Sequence, residues 1–142
     1  MKATGTWCWH IHYLVMLAEA YKRAGQLDDG LATIEEGLAL MEKTSQRYFD
    51  AELHRLKGEF LLAKDGEEAE IETLFERAID VATRQKAKSL ELRATMSLAR
   101  LWQKQGKKEE ARKRLAKIYD WFTEGFDTQD LKDAKALLEE LS

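Results

Sequence analysis

The stretch LVMLAEAYKRAG (residues 14–25) contains a pattern that recurs as HRLKGEFLLAKDG (54–66) and as TMSLARLWQKQG (95–106). In each copy a small residue lets two helices approach closely, and a larger residue follows three positions later. A glycine then provides the left-handed turn that ends the helix. The small residues are Ala18, Gly58 and Ala99, and the glycines are Gly25, Gly66 and Gly106. Their spacings of 40 and 41 residues predict three successive copies of one supersecondary structure.

Each glycine precedes a second stretch whose apolar residues recur at helical spacing, which predicts a helical hairpin in each copy. The predicted helices cover 7–24, 28–43, 46–64, 67–84, 88–105, 108–122 and 129–141. We therefore predict an all-α, right-handed solenoid of three helical hairpins plus a C-terminal capping helix, in a single domain. The repeats are expected at about 7–44, 45–85 and 87–123, and the capping helix at about 127–142.

The composition fits a helical chain without disulfides. Its 142 residues include no proline, eight glycines and one cysteine, and a single cysteine cannot form an internal disulfide. No apolar stretch approaches the ~20 residues needed to cross a bilayer, and the N-terminus lacks the apolar segment of a signal peptide. We therefore expect a cytoplasmic protein that does not bind membranes. Its net charge of −3 gives no overall attraction to nucleic acid.

The repeated pattern resembles the tetratricopeptide repeat, in which a small residue, an aromatic and a turn glycine precede Ala, an aromatic and Ala. The matching residues are Ala18, Tyr21 and Gly25, then Gly58, Phe75 and Ala78, then Ala99, Trp102, Gly106 and Ala111. The resemblance covers about residues 11–123 and implies a scaffold that binds proteins or peptides. The period departs from the family's 34 residues. Gly30 and Gly37 replace alanines, which weakens their helix by roughly 1 kcal/mol each.

A narrower resemblance concerns four segments: ELHRLKGE (52–59), AKSLELRA (87–94), YDWFTEGFDT (119–128) and LKDAK (131–135). Together they look like the C-terminal repeat region of large bacterial regulators. In those proteins an adenylate/guanylate cyclase domain or a DNA-binding domain precedes a signalling ATPase domain. The resemblance implies that this chain is a C-terminal fragment of such a protein. Its 142 residues carry no cyclase or ATPase motif, and a free-standing adaptor of the same fold is the alternative.

Catalytic, cofactor and metal sites find no support in the sequence. Gly106-Lys107 lacks the earlier glycine and the Ser/Thr of a phosphate-binding loop. Cys8 and His12 are spaced to share a metal on one helix face, but no third ligand is evident. We interpret Cys8 as a small apolar residue in the packing of the first helix and His54 as a structural residue. The prediction is therefore a chain without catalytic residues, cofactor or metal.

A partner is expected in the groove that the first helices of stacked hairpins line. The family's groove positions correspond here to His12, Val15, Glu19, Lys22, Arg23, Glu52, Arg55, Glu59, Arg93, Met96, Arg100, Gln103 and Lys104. These mixed charges suit an extended peptide, a partner helix or another domain of the same protein. We expect the double reversal Arg55→Glu with Arg100→Glu to weaken binding without unfolding the chain.

Two further features bear on partners. Acidic residues concentrate within 65–80, and basic residues concentrate at Arg100, Lys104, Lys107, Lys108, Arg112, Lys113, Arg114 and Lys117. The basic stripe makes nucleic-acid binding an alternative. Separately, Trp7, Trp9, Ile11 and Tyr13 predict an apolar N-terminal helix through which isolated chains self-associate.

Overall fold

The computed structural model describes residues 4–44 and 47–142, with side chains described from residue 9 onward. Within these residues the chain forms helices and no strand. The helices are α1 (Thr4–Ala24), α2 (Leu27–Thr44), α3 (Asp50–Ala63), α4 (Glu68–Arg84), α5 (Lys88–Lys104), α6 (Lys108–Tyr119) and α7 (Gln129–Leu141). The prediction of an all-α chain of helical hairpins is confirmed. None of these described helices is long and apolar enough to span a membrane.

Three helix ends differ from the prediction by three residues or more. Helix α1 begins at Thr4 rather than at 7. Helix α3 begins at Asp50 rather than at 46, and residues 45 and 46 lie outside the described part. Helix α6 ends at Tyr119 rather than at 122. The amides of Trp121 and Phe122 donate to the carbonyls three residues earlier, at 3.2 and 3.1 Å, which tightens the chain into a turn and ends the α-helix.

The turns that end α1, α3 and α5 place one residue in the left-handed region, but glycine supplies it only twice. Gly25 has φ 77° and Gly106 has φ 83°, whereas Asp65, not Gly66, takes φ 58° in the second turn. The Gly66 amide instead donates to the Leu61 carbonyl at 2.7 Å, closing the six-residue helix-ending motif. The left-handed residue therefore follows the small residue by the same interval in all three copies, and the predicted role of Gly66 is wrong.

By its internal contacts the chain divides into two compact units, Met1–Leu74 and Phe75–Ser142. In the first unit α1 and α2 form a hairpin, and α3 packs against both helices. The buried core joins Ile11, Val15 and Ala18 of α1, Ile34 and Met41 of α2, and Leu53, Leu56 and Phe60 of α3.

Gly30 and Gly37 give α3 its close approach to α2. A β-carbon on Gly30 would overlap the Phe60 ring, and one on Gly37 would lie 2.9 Å from the Leu53 side chain. The two glycines that weaken α2 as a helix therefore receive the large apolar residues of α3. Phe60 and Leu53 are buried as a result.

The second unit repeats this plan with a different set of residues. Helices α5 and α6 form a hairpin, and α7 packs against both. Its core joins Leu92, Met96 and Ala99, Ala111, Leu115 and Ile118, and Leu131, Ala134, Leu137 and Leu141. The apolar face predicted for the last helix therefore packs on the last hairpin. Thr128 caps α7 by accepting the Leu131 amide at 3.5 Å.

Candidate protein-binding surface

The predicted groove positions on α1 differ in exposure. Val15 belongs to the core of the first unit, whereas His12 and Glu19 are half-buried and Arg23 is exposed. Lys22 lies on the same helix with its Nζ 4.0 Å from Glu59 Oε1 on α3. The α1 face therefore presents charged side chains near the C-terminal end of the helix, whereas Val15 packs in the core.

On α3 the predicted groove residues form an ion-pair row. Arg55 Nε lies 2.6 Å from Glu52 Oε2, and Arg55 Nη1 lies 3.7 Å from Glu59 Oε2. The side chains of Glu52 and Arg55 are only 6% and 12% exposed. Because these charges serve one another inside the fold, they stabilise α3 and are poorly placed to contact a partner. We therefore expect Arg55→Glu to destabilise the fold, unlike the expectation from the sequence.

Helix α7 packs against much of the α5 face that was predicted to line the groove. Arg93 Nη2 donates to Asp130 Oδ2 at 2.9 Å, and the Gln103 amide donates to Glu140 Oε1 at 3.3 Å. Met96 is buried in the core that α7 completes. Arg100 and Lys104 lie one helical turn apart and are exposed, so these two carry the accessible charge of the α5 face.

The basic stripe separates into paired and unpaired cations. Arg114 Nη2 lies 2.7 Å from Glu76 Oε1, and its guanidinium lies 5.7 Å above the Trp102 ring. Arg112 donates to Glu109, which lowers the pKa of the Glu109 carboxyl and raises the pKa of Arg112. Lys113 lies 3.9 Å from the same carboxylate. These three cations are committed to neighbouring carboxylates.

The cations at the turn between α5 and α6 form a distinct group. We call Arg100, Lys104, Lys107 and Lys108 the basic turn patch. All four are exposed, and none takes part in an ion pair with another described residue. The sequence placed them in one stripe with four other cations. Only the ion pairs of the structure show which of them keep their charge available.

Two of the described histidines lie beside carboxylates. His54 is buried on α3, and its Nδ1 lies 2.7 Å from Asp50 Oδ1 and 2.9 Å from the Asp50 carbonyl oxygen. His10 Nε2 lies 3.8 Å from Glu36 Oε2 at the surface. Within the described part no three His, Cys, Asp or Glu residues are placed to hold a metal. The Cys8 side chain lies outside that part, so the Cys8–His12 pair stays untested.

The apolar residues exposed on the N-terminal helix differ from those that the sequence predicts. Ile11 is buried in the core, so its assignment to an exposed face is wrong. Trp9, Tyr13 and Met16 are exposed, and the sequence reading missed Met16. The side chain of Trp7 lies outside the described residues. A row of ring contacts runs from Trp9 through His12 and Phe49 to the exposed Tyr48.

Sequence reasoning also missed an exposed tryptophan beside the α6–α7 connection. Trp121 borders a cleft of about 480 Å³ whose apolar wall includes Leu92, Phe122 and Leu131. The Nζ of Lys88 lies 5.3 Å from the centre of the Trp121 ring. This distance is typical of a cation–π contact. The ring therefore has an intramolecular partner on one face.

Comparison with known proteins agrees with this architecture. The family model described as tetratricopeptide repeat matches residues 11–36 and 92–117, which lie in the α1–α2 and α5–α6 hairpins. A solved structure of nearly identical TPR-like repeats, described as a kinesin light chain from Podosopora anserina, superposes with a TM-score of 0.74 and 18% identity. The alignment covers 93% of this chain and 65% of that one. No curated protein matches the chain.

The fold and the matches together show which kind of architecture the chain has. Two segments of the chain match the tetratricopeptide-repeat model, and the chain has the fold of a TPR-like helical repeat structure. It spans 65% of the length of the repeat structure it matches. The likeness to that structure concerns the fold.

Proposed function

We propose that this chain is a non-catalytic protein-interaction domain that binds an acidic peptide segment at the basic turn patch. One observation carries the proposal: Arg100, Lys104, Lys107 and Lys108 are exposed and form no ion pair with other described residues. The remaining predicted groove charges are largely used within the fold, as Arg55 and Arg93 illustrate. We therefore restrict the proposed binding surface to the residues of α5, of the turn that follows it and of the start of α6.

The geometry of the patch suits a flexible acidic segment. Arg100 and Lys104 project from one side of α5, because side chains four residues apart are neighbours on a helix. Lys107 and Lys108 follow directly at the start of α6. Arg100 presents a planar fork that fits a carboxylate through two hydrogen bonds, while each lysine acts as a compact point charge. Surface ion pairs contribute at most about 1 kcal/mol each, so several acidic residues are needed.

A synthetic peptide tests the proposal directly. The probe is a fluorescein-labelled peptide with four glutamates spaced by serine, and its binding to the full chain is followed by fluorescence anisotropy. We expect Arg100→Glu with Lys104→Glu to weaken binding at least about tenfold. The matched control is Lys132→Glu with Lys135→Glu, which reverses two exposed and unpaired cations of α7. Equal weakening in both double variants would show that only net charge matters and would contradict the patch.

Nucleic acid is the competing partner for the same cations. The exposed large aromatic residues of the described part are Trp9, Tyr13, Tyr48, Trp121 and Phe126, and none lies within the 100–108 segment. Binding of single strands normally combines cations with aromatic stacking, so this arrangement favours a protein partner. An unlabelled dT oligonucleotide that displaces the peptide at lower concentration than unlabelled peptide would favour nucleic acid instead.

We further propose that the domain works in the cytoplasm as the C-terminal part of a bacterial signalling regulator of the cyclase or ATPase type. The support is the resemblance of the segments now seen to form most of α3, the start of α5 and the α6–α7 connection. In that setting another domain of the same protein is a candidate partner. The gene sequence upstream of Met1 provides the test. A continuous frame encoding a cyclase or ATPase domain is expected, and a stop codon would indicate a free-standing adaptor.

A further inference from the structure

The exposed apolar residues of α1 lie on a single face. Trp9, Tyr13 and Met16 are 73%, 61% and 58% exposed, and Ala20 continues the row. Steps of four, three and four residues keep all of them on one side of a helix. We call these four residues the α1 stripe. Large apolar side chains aligned at the surface of a soluble chain mark an interaction site.

The internal repeat shows what such a stripe does elsewhere in this chain. Forty residues further on, the equivalent positions are Phe49, which precedes α3, and Leu53, Leu56 and Phe60 of α3. Leu53, Leu56 and Phe60 are all buried. They are buried because Gly37 and Gly30 of the preceding helix α2 leave room for Leu53 and Phe60. In α3 these positions are therefore the surface that receives a preceding helix.

The third copy carries smaller or buried residues at the same positions. The equivalent positions in α5 are Leu90, Ala94, Ser97 and Leu101. Ala94, Ser97 and Leu101 are at most 1% exposed. Only in α1 do the equivalent positions carry large apolar side chains that remain exposed among the described residues.

We propose that the α1 stripe binds an amphipathic helix of the α2 kind, with a small residue opposite Tyr13. The α2–α3 contact fixes the register, because Tyr13 is equivalent to Leu53, which lies against Gly37, and Ala20 is equivalent to Phe60, which lies against Gly30. Tyr13 is larger than leucine, so the partner helix needs glycine or alanine there. Ala20 is much smaller than phenylalanine, so the partner helix has room for a large apolar residue there.

The test adds the proposed partner to the full chain. A second copy of Leu27–Thr44 is joined to the N-terminus through a flexible glycine–serine linker, and the thermal unfolding midpoint is measured. We expect the added helix to raise the midpoint by about 4 °C or more, a shift typical of a stabilisation near the lower end of what a buried helix face supplies. The double substitution Tyr13→Gln with Met16→Gln should remove this gain. Trp121→Gln, which changes a similarly exposed aromatic of the second unit, should retain it.

Two substitutions in the added copy alone give the sharpest control. Replacing its Gly37 by leucine should abolish the rise in midpoint, because this position faces Tyr13. Replacing its Gly30 by leucine should preserve or increase the rise, because this position faces Ala20. Both changes affect helix propensity equally, so identical results would overturn the proposal. No rise with the unmodified copy would also overturn it. Self-association of the unextended chain that Tyr13→Gln abolishes would assign the stripe to a second copy instead.

Discussion

Gly30 illustrates a residue whose effect on its own helix opposes its effect on packing. Glycine lowers helix stability by about 1 kcal/mol relative to alanine, so the isolated α2 segment favours Gly30→Ala. In the folded chain, however, the added β-carbon would overlap the Phe60 ring. Overpacking a core contact costs about 1–3 kcal/mol. Packing therefore decides whether Gly30→Ala raises or lowers the free energy of unfolding.

We expect Gly30→Ala to lower the free energy of unfolding by about 1 kcal/mol, measured by urea titration, because the overpacking cost exceeds the gain in helix propensity. The same substitution in a Phe60→Leu background should cost less, since the ring that causes the overlap is gone. A Gly30→Ala chain more stable than the parent would mean that Phe60 moves aside without loss.

Arg55 is the second position where the structure changes an expectation. Its guanidinium lies between Glu52 and Glu59 and is nearly covered. Removing one member of a buried ion pair costs about 3 kcal/mol or more, because the remaining charge loses its main compensation. We expect Arg55→Met to destabilise the chain by roughly this amount, and Arg55→Glu to destabilise it further by adding a third carboxylate.

Guanidinium denaturation would introduce a competing cation, so these Arg55 variants are best compared in urea. Arg23→Met is the matched control, since Arg23 is exposed on α1 and forms no ion pair with described residues. Its effect should stay within about 0.5 kcal/mol. Wild-type stability in Arg55→Glu would show that the ion-pair row contributes nothing, and would restore Arg55 as a candidate contact residue.

At the scale of the elements, local signals were sufficient to predict the helices. Small residues, turn glycines and apolar spacing indicated every helix, because each of these signals acts within a few residues of where it is read. The turn after α3 was misassigned because aspartate can also adopt the left-handed conformation, and Asp65 does so one residue before Gly66.

The site was less predictable because its residues depend on contacts between helices. Arg93 and Asp130 are far apart in sequence and pair only because α7 packs on α5. The same packing buries Met96, which looked like a groove residue on α5 alone. Separating paired from available cations in the basic stripe likewise required Glu76 and Glu109 to be located.

Helix α7 is the element that completes the core of the second unit. Leu137 lies within the cluster that α5, α6 and α7 share. Truncating a buried leucine to alanine costs about 2–5 kcal/mol, so we expect Leu137→Ala to lower the urea midpoint strongly. Lys135→Ala, exposed on the same helix, should change stability by less than about 0.5 kcal/mol. Equal and small effects would mean that α7 is only loosely attached.

For the molecule as a whole, net charge is a poor guide to binding. The chain carries −3 overall, yet the basic turn patch presents four exposed cations on the second unit, while the α1 stripe presents apolar residues on the first. The two surfaces are built from different chemistry and lie in different units. They should therefore respond differently to the same change of solvent.

Salt concentration separates the two surfaces. Exposed charges interact over about 10 Å at 0.1 M salt and only about 3 Å at 1 M, so raising sodium chloride from 50 to 500 mM should weaken glutamate-peptide binding at least about tenfold. Burial of apolar surface does not depend on that screening. The midpoint gain from the added α2 copy should therefore persist at 500 mM salt. It should also persist in Arg100→Glu with Lys104→Glu. A gain that disappears with salt would mean that charge rather than the apolar stripe holds the added helix. Peptide binding that is insensitive to salt would remove the basic turn patch as its site.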